Sequence, residues 1–150
     1  MNQQANDVQI ENTELSTQSN VVVVNDERTK HAYDFVKSFL GNKEKEKDLR
    51  SLVRSFPTMV QNNGLCAAVA FLIAKNKEHH SALRQTIENW LVDRKLISLS
   101  IYKGKEESKV LEAIINLSRD QYRVTSGEVM TYMQWVKLFG EGMLSDDEQK

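Results

Sequence analysis

Basic and amide side chains are the residues of this chain best suited to a chemical role. Arg54 precedes an amide-rich corner that includes Gln61 and Asn62, and Lys75 ends the apolar run after that corner. Lysine and arginine bind phosphate oxygens, and side-chain amides donate hydrogen bonds to phosphate or ribose oxygens. Such contacts do not read the base sequence. These residue types are therefore suited to contacts with a nucleic-acid backbone.

Two other roles are open to the same amides. Asn62 or Asn63 can cap the turn between two helices, with Gly64 free to adopt a positive φ angle. Gln61 and Asn62 can also donate hydrogen bonds to a neighbouring protein subunit. Capping accounts for one asparagine and leaves the other amides for a binding role.

Patterns typical of enzymes and metal proteins are missing from the sequence. The single cysteine, Cys66, lies within an apolar run, where a thiol is shielded from reactants. His79 and His80 are adjacent, so they point to different sides of a helix, and His31 is expected on the surface. No glycine-rich phosphate loop and no nucleophile with a matching base occurs. We therefore predict no catalytic residue, no metal site and no cofactor.

Charge is divided unevenly between the ends and the body of the chain. Residues 1–27 hold five Asp or Glu and no Lys or Arg, and residues 141–150 have a net charge of −3. Residues 28–140 hold nineteen Lys or Arg against twelve Asp or Glu, a net charge of +7, although the whole chain sums to −1. A basic body attracts polyanions, but a well-solvated surface gives the same composition.

Length and composition indicate one helical domain. The chain has 150 residues with one Pro and six Gly, which favours helices over a turn-rich β-sandwich. We predict a disordered acidic tail over residues 1–24, a helical domain over residues 25–142 and an acidic tail over residues 143–150. The fold class is all-α, a single-domain bundle of about five to six helices. The apolar run from Leu65 to Ala74 is predicted to be its central helix, buried on every side.

Cellular location follows from the same features. A single cysteine excludes a disulfide framework and favours a reduced, cytoplasmic location. The first residues lack the basic and apolar regions of a secretory signal, and no apolar run reaches the roughly 17–25 residues of a membrane span. We expect no membrane partner.

Apolar spacing predicts the first helices. The first is expected to start near Asn25 or Asp26 and to end at Gly41-Asn42. Val21 to Val24 form a short β-branched run, interpreted as a lead-in segment or a partner-binding strand. Pro57 is expected to kink or restart the second helix, because proline removes a backbone hydrogen bond and clashes with the preceding turn.

The second half shows three further signals. Arg84 and Glu88 fall outside the apolar stripe of their helix, so they are expected to point outward. Residues 96–102 alternate like a strand but lack a partner strand, which favours an extended loop. Ser118 and Gln121 predict a capping box that starts the last helix.

Three stretches together carry a family resemblance. They are Phe-Pro-x-Met-Val-Gln-Asn-Asn-Gly-Leu from Phe56 with the apolar helix after it, Asp-x-Tyr-Arg from Asp120, and the run from Tyr132 to Gly142. In order and spacing they resemble the small helical subunit of the type III-B CRISPR effector, the Cmr complex. Leu138 is a departure, because the family commonly has a second basic residue there.

The resemblance implies a non-catalytic subunit whose copies stack in the minor filament of the effector. Its partners would be other Cmr subunits, copies of itself, guide RNA and target RNA, with no small-molecule substrate. The family has a basic residue at its first helix and another in its last, which adds candidates to those above. The candidate RNA-binding residues are then Arg28, Lys30, Arg54, Gln61, Asn62, Lys75 and Lys137. The alternative is a helical structural adaptor that binds only protein subunits.

Overall fold

The computed structural model describes residues 22–146. Nearly all of the predicted N-terminal tail, with Val21, and the last four residues of the C-terminal tail lie outside the described residues. Residues 22–146 form six helices and contain no strand. They are α1 (22–37), α2 (Lys43–Asn63), α3 (Leu65–Lys75), α4 (Glu78–Asp93), α5 (Glu106–Ile115) and α6 (Arg119–Met143). The all-α prediction is confirmed, and residues 96–102 lie in the loop between α4 and α5 as predicted.

Apolar side chains from all six helices meet in one core. Each helix presents residues at three- and four-residue steps to the others, which is the pattern that buries one face of an amphipathic helix. The fully buried side chains include Val36, Phe56, Leu65, Leu83, Ile114 and Tyr132, one from each helix. Burial of each large apolar side chain contributes about 1.5–3 kcal/mol.

α1 begins earlier than predicted. Residues 22–24 are helical, so the predicted start at Asn25 or Asp26 was wrong, and so was the strand interpretation of these valines. Asn25 does not cap the helix; its Oδ1 accepts a hydrogen bond of 3.2 Å from Arg28 within α1. β-branched residues cost only a few tenths of a kcal/mol in a helix, so the valines do not stop it.

α2 continues through Pro57. The helix runs without a break from Lys43 to Asn63, so it does not restart at the proline, and the alternative expectation of a kink stays a prediction. Proline removes one backbone hydrogen bond at a cost of about 3 kcal/mol. Val53, Phe56 and Val60 lie on the buried side of the helix around this position, and their burial offsets that cost.

α3 is not buried on every side. Leu65, Ala68 and Leu72 are buried, whereas Ala67 and Ala74 are exposed. The helix packs against α2, α4 and α5, and its remaining side faces solvent. The prediction of an all-round buried helix was therefore wrong, because alanine side chains are small enough to face water at little cost.

Arg84 of α4 does not point outward as predicted. It is buried, and its Nη1 donates a hydrogen bond of 3.0 Å to Glu88 Oε2, one turn later. Burial raises the pKa of Glu88, and the neighbouring guanidinium opposes that shift. Apolar spacing missed this arrangement because a charged pair can be buried once its two members neutralise each other.

α6 starts at the predicted capping box. The Ser118 side chain accepts a hydrogen bond of 3.2 Å from the backbone N–H of Gln121, and the Gln121 side chain accepts one of 3.1 Å from the backbone of Ser118. The two bonds satisfy donors that a helix start leaves unpaired. This local signal fixes where the last helix begins.

Candidate nucleic-acid interface

α2 and α6 lie against each other and run antiparallel. At one end, Arg50 Nη1 donates a hydrogen bond of 3.0 Å to the carbonyl oxygen of Leu144, just past α6. At the other end, the backbone N–H of Cys66, just past α2, donates one of 3.2 Å to Tyr122 Oη. The contact therefore extends along most of both helices.

The two helices approach closely at Gly140. A Cβ atom built on Gly140 would lie 2.9 Å from Val53 Cγ2, closer than real Cβ atoms come to a neighbour. Only glycine leaves room for α2 at this point. We call the solvent-facing surface along this contact, between the exposed sides of the two helices, the α2–α6 groove.

Three predicted residues follow the α2–α6 groove. Arg54 is next to Val53 and one turn after Arg50, so it shares the side of α2 that faces the end of α6. Lys137 lies one turn before Gly140 on α6, and Gln61 lies two turns after Arg54 on α2. Within residues 22–146, none of these three side chains has a hydrogen-bonding or ionic partner. Arg54 and Gln61 are exposed and Lys137 is half-buried, so polar groups of a ligand can reach all three.

Arg119 and Arg123 extend the same surface and were missed from sequence. Both are exposed residues in the first two turns of α6, without an ionic partner in the described part of the chain. Arg123 precedes Lys137 by fourteen positions, which places it on nearly the same side of the helix. That spacing was readable from sequence, but the Asp-x-Tyr-Arg run was treated only as a family signature.

Arg28 lies elsewhere and is engaged inside the molecule. Its guanidinium donates two hydrogen bonds to the carboxylate of Glu128, at 2.8 and 2.9 Å. The indole Nε1 of Trp90 donates a third to the same carboxylate, at 2.9 Å. These bonds join α1, α4 and α6 on the side of α6 away from α2. Arg28 therefore stabilises the position of α1.

Lys30 is exposed on α1, about 200° around the helix from Arg28. It lines a cavity of about 250 Å³ together with the carboxylates of Glu27, Asp34 and Asp93. With Arg94 also in the lining, three carboxylates stand against two cations, and this small negative excess makes the region less suited to phosphate than the α2–α6 groove. Lys30 and Arg54 are thus not parts of one surface.

Lys75 and Asn62 are exposed but separate from the groove residues. Lys75 is the last residue of α3, and its ammonium lies 5.9 Å from the ring centre of Phe71. Asn62 follows Gln61 directly and so points about 100° away from it around α2. Neither Asn62 nor Asn63 forms a side-chain hydrogen bond within residues 22–146. Gly64 makes the turn between α2 and α3 at φ 89°, as predicted.

His31 is part of an internal hydrogen-bond network, which corrects the expected surface position. The hydroxyl of the fully buried Tyr132 lies 2.7 Å from both His31 Nδ1 and Thr86 Oγ1. Burial raises the pKa of Tyr132, so its hydroxyl stays protonated at neutral pH. Burial lowers the pKa of His31, against the opposing charges of Asp93 and Asp34. The network joins α1, α4 and α6 through one hydroxyl.

The described residues hold no group of three or more His, Cys, Asp or Glu side chains arranged to bind a metal ion. Cys66 is half-buried and its sulfur bonds to no other cysteine. In the same part of the chain, no helix is both long and apolar enough to cross a membrane. The candidate functional site in this part of the chain is therefore the row of cations without internal partners along the α2–α6 groove.

Fold and site together define a class: small, single-domain helical proteins with a basic groove between two antiparallel helices. A solved structure shares this fold, the crystal structure of a CRISPR-associated Cmr5 family protein from Thermus thermophilus. The TM-score is 0.66 at 22% sequence identity, over 81% of this chain and 97% of that one. No protein with curated annotation matches this chain.

The family follows from the sequence itself. Residues 24–143 match the family model described as CRISPR-associated protein (Cas_Cmr5), so the chain belongs to that family. The resemblance to the small subunit of the type III-B Cmr complex is thereby confirmed. The chain is a Cmr complex subunit.

Proposed function

We propose that this subunit is non-catalytic, stacks with copies of itself in the minor filament of the effector, and binds the backbone of guide and target RNA through the α2–α6 groove. The observation that carries the proposal is the position of Arg54 and Lys137 on opposite sides of that groove, both without an internal partner in the described part of the chain. Each contact with a phosphate releases condensed counterions, so it favours binding without reading sequence. This suits an effector in which base pairing with the guide selects the target.

Not all predicted residues support the proposal equally. Arg54, Gln61 and Lys137 share the groove, and Arg119 and Arg123 extend it. Lys30, Asn62 and Lys75 remain proposed contacts on other surfaces. Arg28 carries no part of the proposal, because its charge is neutralised by Glu128.

The test is a charge reversal in the assembled effector complex. The double variant Arg54→Glu/Lys137→Glu is expected to bind target RNA at least tenfold more weakly at moderate salt. Loss of two phosphate contacts should also reduce the slope of log K against log salt by about 1.4, at about 0.7 per contact. Gel-shift titrations across a salt series measure both quantities.

A charge-matched control separates the groove from general electrostatics. Lys37→Glu/Lys103→Glu changes the charge by the same amount at two exposed lysines that are not proposed RNA contacts. The proposal predicts a much smaller effect for this variant. Equal losses in the two variants, or no loss in the groove variant, would contradict the assignment of the groove.

The alternative function is a helical adaptor that meets only protein. The observation that favours this alternative is at Arg28. This residue was predicted to contact RNA, but its guanidinium is hydrogen-bonded to Glu128 within the molecule. Crosslinking of the assembled complex decides between the two. Crosslinks from α2 and α6 to RNA support the groove, and crosslinks to protein alone support the adaptor.

A further inference from the structure

Arg50 is a further cation on the side of α2 that faces the end of α6. It lies one turn before Arg54, and its guanidinium reaches the residues just past α6. Its side chain is 17% exposed, so solvent reaches it at this end of the α2–α6 groove. Position and charge match those of the proposed RNA contacts, but Arg50 differs from them because it has an anionic partner inside the molecule.

We call residues 144–146 the strap, because they leave α6 and lie against the first turns of α2. Leu144 is buried, and its carbonyl oxygen accepts the hydrogen bond of 3.0 Å from Arg50 Nη1. The backbone N–H and the hydroxyl of Ser145 both donate to Glu46 Oε1, at 3.2 and 3.3 Å. These anchors involve the first two residues of the strap and leave out the side chain of the third.

Asp146, the third residue of the strap, fits Arg50 poorly. Its Oδ2 lies 3.4 Å from Arg50 Nη2, whereas a charge-assisted hydrogen bond is roughly 2.7–2.9 Å long. Arg50 Nε is buried and has no hydrogen-bond partner within residues 22–146. Arg28 shows the complete arrangement, since its Nε and Nη2 donate to the two oxygens of Glu128 at 2.8 and 2.9 Å. The same edge of the Arg50 guanidinium therefore carries one long ionic contact and one unsatisfied donor.

An edge of this kind favours a ligand that presents two oxygens side by side. Carboxylate and phosphate groups both match the fork of a guanidinium through two parallel hydrogen bonds. A buried donor without an acceptor is destabilising, so a ligand that supplies the second oxygen gains by filling it. Under the proposed function, the ligand that reaches this end of the groove is RNA, and each of its backbone phosphates has two unbridged oxygens.

We propose that Arg50 is a further RNA contact and that Asp146 occupies its phosphate site in the RNA-free chain. A backbone phosphate displaces the Asp146 carboxylate and accepts hydrogen bonds from Arg50 Nη2 and Nε together. This inference rests on the proposed function and adds a built-in competitor to it, because the carboxylate must leave before RNA occupies the site. RNA affinity is therefore lower than the cations alone would give.

The test removes the competing charge. Asp146→Asn keeps the size of the side chain and, in the assembled effector complex, should bind target RNA about two- to fivefold more tightly at moderate salt. This is the range that a partly exposed ion pair supports. The anchors at Leu144 and Ser145 are unchanged, so the fold is retained. Fluorescence anisotropy titrations with a labelled target RNA measure the affinity.

A double-mutant cycle locates the effect at Arg50. Arg50→Gln should weaken binding, and addition of Asp146→Asn should then change nothing, because the cation for which carboxylate and phosphate compete is gone. Arg50→Lys keeps the charge, so Asp146→Asn should again tighten binding in that background. The gain should be smaller than with arginine, because lysine lacks the two-donor fork.

Glu78→Gln is the matched control for release of a cation. It removes the same charge and breaks an ion pair of 3.1 Å with Lys45, an exposed residue in the first turn of α2. Lys45 lies about 140° around the helix from Arg50. Its release should therefore leave the affinity for target RNA unchanged.

The inference is overturned by an unchanged affinity in Asp146→Asn, by a gain that persists in the Arg50→Gln background, or by an equal gain in Glu78→Gln. The groove is tested separately, since Arg54→Glu/Lys137→Glu leaves Arg50 and Asp146 in place. Loss of affinity in that variant without a gain in Asp146→Asn would retain the proposed function and reject the competitor. Unchanged affinity in that variant would reject the proposed function itself.

Discussion

Arg28 and Glu128 are 100 positions apart in the chain and form two hydrogen bonds of 2.8 and 2.9 Å. Their side chains are only 12% and 17% exposed, so the pair lies largely out of water. Trp90 donates a third hydrogen bond to the same carboxylate. The polar contact between α1, α4 and α6 at this point therefore depends on one acidic side chain.

Glu128→Ala is expected to lower the free energy of unfolding by about 3 kcal/mol, because it leaves a guanidinium and an indole N–H without an acceptor. Urea denaturation measures the change. The control is Glu106→Ala, which breaks an ion pair with Lys109 in which the glutamate is 82% exposed. Its cost should be below about 1 kcal/mol. Similar costs for the two variants would show that the Glu128 carboxylate is not the anchor of α1.

Gly140→Ala should destabilise the protein by about 1–3 kcal/mol, although alanine is the better helix former. The new methyl group would meet Val53 at 2.9 Å and force α2 and α6 apart. Gly127→Ala in the same helix is the matched control, since nothing lies within 4 Å of its added Cβ atom. That change should stabilise by about 0.5–1 kcal/mol. Thermal melts of the two variants should therefore shift in opposite directions, and shifts of one sign would contradict close contact at Gly140.

Acidification is expected to destabilise the fold through His31. Burial lowers the pKa of His31 in the folded state below the ordinary value of 6.5, so protons bind more readily to the unfolded chain. The resulting stability is present above pH 6.5 and is lost as the pH falls through the lower folded-state pKa. Nearby Asp34 and Asp93 oppose the shift and limit its size.

His31→Gln provides the comparison, because the carboxylates of the protein titrate alike in both forms. Urea denaturation at pH 7.5 and pH 5.5 should show a larger loss for the unmodified chain than for the variant. His79 and His80 also have pKa values lowered by burial, so part of the acid sensitivity should remain. An identical pH dependence of the two forms would exclude His31 as a source.

Two serines of the α6 region should respond differently to replacement by alanine. Ser118→Ala removes the capping bond to the Gln121 backbone and should cost about 1 kcal/mol. Ser126 has a buried hydroxyl with no hydrogen-bond partner within residues 22–146, so Ser126→Ala should be neutral or slightly stabilising. The urea denaturation midpoints of the two variants measure this difference in stability. A cost at Ser126 equal to that at Ser118 would indicate a partner for its hydroxyl.

Sequence signals that depend on only a few adjacent residues predicted the local structure well. The capping box at Ser118, the positive φ of Gly64 and the loop over residues 96–102 all formed as the sequence indicated. Predictions failed where a distant contact decides. Pro57 stays within a helix because the core holds both sides of it, and Arg84 is buried because Glu88 neutralises it.

The site was predictable by residue type but not by arrangement. Arg54 was chosen as a cation outside an apolar stripe and Lys137 through the family resemblance. Their common groove depends on α2 and α6 packing antiparallel, which helical periodicity does not specify. The same limit explains why the internal hydrogen bonds of Arg28 were not predicted. Its position outside the stripe is compatible with an exposed cation, and only the fold brings Glu128 beside it.

The α2–α6 groove has a consequence for the order of synthesis. One wall comes from residues 43–63 and the other from residues 119–143, the last helix described. A chain still emerging from the ribosome offers the first wall alone, with its cations on one side only. Under the proposed function, both walls can contact RNA together only after translation of the final helix.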